Sequence, residues 1–198
     1  MVLICLGDSL TYGYGIPRPR VWPSLLAGAT GMDVRNCGIN GDTTGGMLAR
    51  FQAHGPAGEA YAAILMGGFN DLALGADPGV VKANMFALVQ HCFSARIRPV
   101  LGIPIPVRRP ITFPMLASVD VERACAAYDA LRFWLHSLAE DFSLQKVDFY
   151  RCFEEFSASA ARNGDRRVFD ALYTDGLHPS EAGHALMAQE AARVMSIV

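Results

Sequence analysis

Ser9, Asp175 and His178 are residue types from which acyl-transfer chemistry is built, and each sits in a recognisable motif. Gly7-Asp8-Ser9-Leu10 ends the first apolar run, Val2 to Leu6, while Asp175-Gly176-Leu177-His178 places a carboxylate and an imidazole one turn apart far downstream. A serine hydroxyl is a poor nucleophile until a base takes its proton. An imidazole serves best as that base when a carboxylate holds its other nitrogen in the right tautomer. Acyl transfer also needs donors aimed at the oxygen that becomes negative, each contributing about 2.7–4 kcal/mol to the barrier. The backbone N–H of Ser9 is one candidate; Gly41, within Asn36-Cys37-Gly38-Ile39-Asn40-Gly41-Asp42-Thr43, is a second, able to bring bare backbone close to a ligand. The side-chain amide of Asn70, in Gly68-Phe69-Asn70-Asp71, is the third.

These residues need elements to bring them together. Short apolar runs recur at Val2–Leu6, Val34–Cys37, Ala62–Met66, Val100–Ile103 and Val147–Tyr150. Segments with helical spacing fall between or after them at Trp22–Thr30, Thr43–Ala53, Val80–Ala95, Val119–Phe142 and Ser180–Val198. Strands alternating with helices imply a parallel sheet covered on both faces, an α/β three-layer sandwich, because each parallel crossover needs a long right-handed excursion. Ligands bind such sheets outside the carboxyl ends of the strands. Ser9, Gly38–Gly41 and Asn70 each follow a predicted strand, so they are expected on one edge. His178 precedes Pro179, which disfavours helical backbone at the residue before it and puts the imidazole on a loop ahead of the last helix.

The four segments, in this order, resemble the SGNH hydrolases, also called GDSL esterases and lipases. The positions matching the family's name are Ser9, Gly41, Asn70 and His178, with Asp175 matching its third triad member. The resemblance implies Ser9 as nucleophile, His178 as base and Asp175 as its orienter. It implies an oxyanion hole formed by Ser9 N–H, Gly41 N–H and the Asn70 side chain. The longer stretches Gly7 to Gly15, Trp22-Pro23 and Gly41 to Gly46 are similar to the bacterial thioesterase I and arylesterase branch. That likeness implies a flavodoxin-like sheet of five parallel strands and cleavage of acyl esters or thioesters, with no metal or organic cofactor.

Pro104 to Ser118 is the least regular piece, its prolines blocking helix and central-strand structure alike. A long loop at the same edge is a candidate pocket wall. Phe69, Ile105, Ile111, Phe113 and Met115 are candidates to line an acyl pocket, packing beneath their own loop being the alternative, and Arg108 and Arg109 are candidates to meet an anionic group on the substrate, simple solvation being theirs. Asp8 and Asp71 are read as holding their turns by side-chain-to-backbone bonds. His54, His91, His136 and His184 fall in or beside helical segments, where surface or packed roles are usual.

Composition narrows the field further. With 198 residues, 52% of them hydrophobic, the chain is expected to form one domain spanning residues 1–198. Seventeen basic against nineteen acidic side chains and no basic run make nucleic acid an unexpected partner. Five cysteines without a Cys-x-x-Cys pair indicate neither a disulfide framework nor a zinc site. No secretion leader or membrane-spanning run is visible, so a soluble, cytoplasmic protein acting on a small acyl ester or thioester is expected. The glycine-rich stretch Gly41 to Gly46 lacks the lysine of a phosphate-binding loop, which disfavours nucleotide hydrolysis. The rivals are a carbohydrate O-deacetylase with the same triad, for which Tyr12 and Tyr14 are the nearest stacking platforms, and a binding module without catalysis. Acyl length and oligomeric state are not legible.

Overall fold

The computed structural model describes residues 1–54, 60–162 and 171–196; the His54 side chain is outside that description. Five strands, β1 Val2–Gly7, β2 Asp33–Gly38, β3 Ala60–Met66, β4 Arg98–Ile103 and β5 Gln145–Asp148, form one sheet in the order β2-β1-β3-β4-β5. Every pairing is parallel. The helices are α1 Ser9–Tyr12, α2 Trp22–Thr30, α3 Thr44–His54, α4 Phe69–Ala73, α5 Pro78–Ser94, α6 Val121–Asp141, α7 Phe149–Arg162 and α8 Glu181–Met195.

The strands read as unbroken apolar runs because both faces of the sheet are covered. Alternate side chains go to opposite faces. Leu3 and Cys5 join Ile64, Val100 and Val147 beneath α2, α7 and α8, whereas Ile4 and Leu6 join Leu65, Leu101 and Ile103 beneath α3, α5 and α6. Each fully buried Leu, Ile, Phe or Met contributes about 1.5–3 kcal/mol, so both halves of this core hold the strand ends firmly. The order reverses at β1, with β2 on one side and β3 on the other. Gly7 pairs with both Gly38 and Met66, so the segments leaving β1, β2 and β3 emerge level with one another at the switch point.

Asp77, Asp120 and Ser180 cap α5, α6 and α8 through their side chains, which fixes where those helices begin. The expected strand Val147–Tyr150 is corrected. The strand ends at Asp148, and Phe149 opens α7, a helix the apolar runs did not reveal. Asp148 Oδ1 accepts the Arg151 N–H at 2.9 Å, the bond of an N-cap. Helical spacing then carries Cys152, Phe153 and Ala160 to the buried side. The one-turn helices α1 and α4 were also unforeseen, being too short to show a period. Residues 104–118 do form a connection without long structure, broken by one 3-10 turn at Pro114–Leu116. Among the described residues no helix is long and apolar enough to cross a membrane.

Candidate active site

Ser9 is placed by a sharp strand-to-helix turn. Asp8 caps α1, its Oδ1 accepting the Leu10 N–H at 2.9 Å, and Ser9 stands at the first helical position, where N–H groups have no acceptor within the helix. His178 reaches it from the other end of the chain, its Nε2 3.0 Å from Ser9 Oγ across a separation of 169 residues. The other ring nitrogen, Nδ1, lies 2.7 Å from Asp175 Oδ2. Asp175 Oδ1 meanwhile accepts the N–H groups of Leu177 at 3.0 Å and His178 at 2.7 Å, so the carboxylate organises its own turn as well as the ring.

Burial pushes the Asp175 carboxyl up, but the bonds from His178 backbone and ring outweigh it and hold the group below its ordinary range. An ionised carboxylate only accepts hydrogen bonds. Nδ1 must therefore carry the ring proton, which leaves the Nε2 lone pair facing the serine hydroxyl.

Gly41 turns the chain beneath this pair with φ 74, a left-handed conformation that side chains resist. A Cβ there would meet nothing within 4 Å, so backbone conformation rather than space accounts for the glycine. Asn70 donates one amide hydrogen to the Asp42 carbonyl at 2.9 Å. Its neighbour Asp71 binds Thr44 rather than its own turn, accepting from Thr44 N at 2.9 Å and from the Thr44 hydroxyl at 2.6 Å. Asp8 and Asp71 thus lock the Ser9 turn and the start of α3. Burial, with Asp42 and Asp71 close by, raises the Asp8 carboxyl to about 7.

Ser9, Gly41, Asn70 and His178 line one cleft of about 260 Å³. Asn40 also lines it, and the rest of its wall is largely apolar, with Tyr14, Leu74, Phe113, Met115, Leu116 and Val119 prominent. Of the expected pocket residues, Phe113 and Met115 lie here. The others do not. Ile111 packs against the core, and Arg109 pairs with Glu122. Phe69 is buried in the core with its ring centroid 5.2 Å from that of Tyr128. Ile105 is buried on the opposite face of the sheet. Arg108 borders a separate depression with Tyr173 and Asp175, its N–H donating to the Gly176 carbonyl at 2.7 Å. Leu74, Leu116 and Val119 were missed; Leu74 could have been found, since it lies one helical turn after Asn70.

His184 is fully buried, its Nδ1 accepting the Trp22 N–H at 3.2 Å, and burial next to His178 lowers its pKa to about 4. It is a packed histidine. His136 lies 3.7 Å from Asp148, away from the cleft. Tyr12 carries the Arg18 guanidinium 3.9 Å above its ring and is absent from the cleft lining. Among the described residues no group of histidine, cysteine and acidic side chains is arranged to hold a metal ion.

The fold and motifs have known counterparts. A lipolytic protein of the G-D-S-L family from Veillonella parvula superposes with a TM-score of 0.82 at 22% identity, covering 100% of both chains. An acetyl xylan esterase, AlAXEase, superposes with a TM-score of 0.79 at 18% identity, again over 100% of both chains. An arylesterase of Vibrio mimicus is 38% identical over 92 residues; the match spans 44% of this chain and about half, 46%, of that protein. The model of the GDSL-like lipase/acylhydrolase family matches residues 5–186. With that match covering nearly the whole chain, the protein belongs to the GDSL-like lipase/acylhydrolase family.

Proposed function

We propose that the protein is a serine hydrolase that cleaves carboxylic acyl esters or thioesters of small to medium acyl groups through an acyl-Ser9 intermediate. The observation that carries this reading is the unbroken chain from Ser9 Oγ to His178, 3.0 Å, and from His178 to Asp175, 2.7 Å, opening into an apolar cleft. Ser9 Oγ attacks the acyl carbon while its proton passes to His178 Nε2, and the carbonyl π electrons move onto oxygen. Ser9 N–H, Gly41 N–H and the second amide hydrogen of Asn70 hold that oxygen. Collapse expels the alcohol or thiol, which takes the proton from His178. Water, deprotonated by the same imidazole, then releases the acid. Asp175 stays ionised throughout and keeps the ring aligned.

The stretch of wall formed by Leu74, Met115, Leu116 and Val119 supports acyl esters over acetylated sugars; of the two expected sugar platforms Tyr14 lines the cleft and Tyr12 does not. The deciding experiment is turnover of p-nitrophenyl acetate, butyrate and octanoate by the parent and by Ser9→Ala, with both shown to be folded. Activity lost in the variant is expected. In the parent, kcat/KM should rise about fourfold per CH2 until the cleft is filled, the equivalent of ~0.8 kcal/mol per buried methylene. Equal activity in parent and variant would overturn the assignment of the nucleophile.

A further inference from the structure

The His178 imidazole belongs to a trio of mutually contacting rings that the acid–base chemistry does not by itself explain. The Tyr14 ring lies over it with centroids 4.7 Å apart and planes tilted by 38°. Phe113 approaches edge-on, 4.8 Å away at 82°. Tyr14 and Phe113 also touch each other, at 5.5 Å and 72°. A hydrogen bond from Nδ1 to Asp175 fixes one corner of the ring, yet the imidazole can still swing about its bond to Cβ and carry Nε2 away from Ser9. Contact on the ring's face and edge removes that freedom.

Each aromatic ring is tied to a different partner of the imidazole. The Tyr14 N–H donates to the carbonyl of Ser9 at 3.2 Å, so this ring moves with the nucleophile. Thr112, next to Phe113, donates its N–H to the carbonyl of Asp175 at 2.8 Å, so the other ring moves with the carboxylate turn. A tilted stack within about 6 Å also attracts a cation through the ring quadrupole. That attraction is absent for neutral imidazole and appears when the Ser9 proton arrives. We infer that Tyr14, braced by Phe113, is a positioning residue that fixes the plane of His178 and favours its protonated form during acyl transfer. The inference rests on His178 being the base of Ser9.

The titratable groups around the ring are few. Asp175 faces it from its own turn, the Tyr14 phenol from the turn after α1, the Ser9 hydroxyl from α1, and His184 from α8, neutral above about pH 4. Asp175 is held below its ordinary range and His184 is lowered to about 4, so neither changes charge between about pH 5 and 8, whereas Asp8, before Ser9 in the same turn, ionises at about 7 and is common to the parent and every variant compared.

The test compares Tyr14→Leu with Tyr14→Phe, and Phe113→Leu with Phe113→Tyr, on p-nitrophenyl acetate and octanoate. Ser9→Ala and His178→Ala run alongside, and thermal melts are recorded for all. Leucine at position 14 should lower kcat about 3- to 30-fold on both esters with KM changed by less than about twofold. It should also move the acid limb of the kcat/KM profile to lower pH, because the cation loses its ring partner. Tyr14→Phe should restore both. If Tyr14→Leu does not fold, Phe113→Leu carries the same readouts. A loss confined to KM on octanoate, or identical behaviour of the leucine and phenylalanine variants, overturns the inference and leaves Tyr14 as cleft wall. Activity surviving in Ser9→Ala or His178→Ala would instead remove the base itself, a different and separately visible failure.

Discussion

Asn70 illustrates how much a single amide is asked to do. One of its hydrogens goes to the Asp42 carbonyl at 2.9 Å, which fixes the side-chain plane and leaves the other free of that bond in a residue that lines the cleft with Ser9 and His178. A donor fixed in advance costs no reorganisation at the moment of reaction. Asn70→Ala should accordingly lower kcat by roughly 10²–10³ with little change in KM; a loss carried by KM would make Asn70 a substrate-binding residue. At this scale the sequence was legible where chemistry dictates residue type. Serine and asparagine in strand-end motifs, and histidine in a short Asp-x-x-His turn, have few other reasons to be there, and the structure brings all three to one cleft. Phe69 and Ile105 were misread because an apolar side chain has the same identity in a core as in a pocket, and only tertiary packing separates the two.

Among the elements, the turn carrying Asp175 and His178 depends most on its neighbours. The Arg108 N–H donates to Gly176 O at 2.7 Å and the Thr112 N–H to Asp175 O at 2.8 Å, so the proline-rich connection grips this turn along its backbone. Gly176 adopts φ 86, and a Cβ there would overlap the carbonyl oxygens of Arg108 and Pro110. Gly176→Ala should cost about 1–3 kcal/mol in stability from conformation alone. It should also lower kcat by more than any effect on KM, as the two segments part and His178 shifts. Unchanged kcat and melting temperature would show that the grip is dispensable. The long helices and the strands announced themselves through periodicity and apolar runs. The start of α7 did not, because Val147 and the aromatic pair that follows Asp148 continue the look of a strand. The capping carboxylate between them was the overlooked signal.

For the molecule as a whole, Asp8 couples the Ser9 turn to pH. It ionises near its ordinary value of 3.8 in the unfolded chain, but burial and then the charges of Asp42 and Asp71 keep it protonated in the fold up to about 7. Between those values folding takes up a proton, so this contribution is fully present below the lower one, is lost as pH rises through the upper one, and is flat beyond. Asp8→Asn removes the titration while keeping an oxygen for the Leu10 N–H. Its melting temperature should gain on the parent's as pH rises from about 4 to about 7, whereas a constant offset would mean that Asp8 is already ionised in the fold. The α/β class followed from strand–helix alternation, and the count of five parallel strands came with the resemblance. The level exit of three strands at the switch point needed the register itself.

Trp22 spans the two ends of the chain, its indole N–H donating to the Leu10 carbonyl at 3.1 Å and its backbone N–H to His184 at 3.2 Å. Its ring is fully buried, 5.3 Å from that of Phe149. This indole is therefore a built-in optical gauge of whether the helix that begins at Ser9 and the helix α8 have docked. In a Trp134→Phe background, where it is the sole tryptophan fluorophore, its emission during refolding should report the arrival of the histidine-bearing end beside Ser9, on the same time course as the return of turnover.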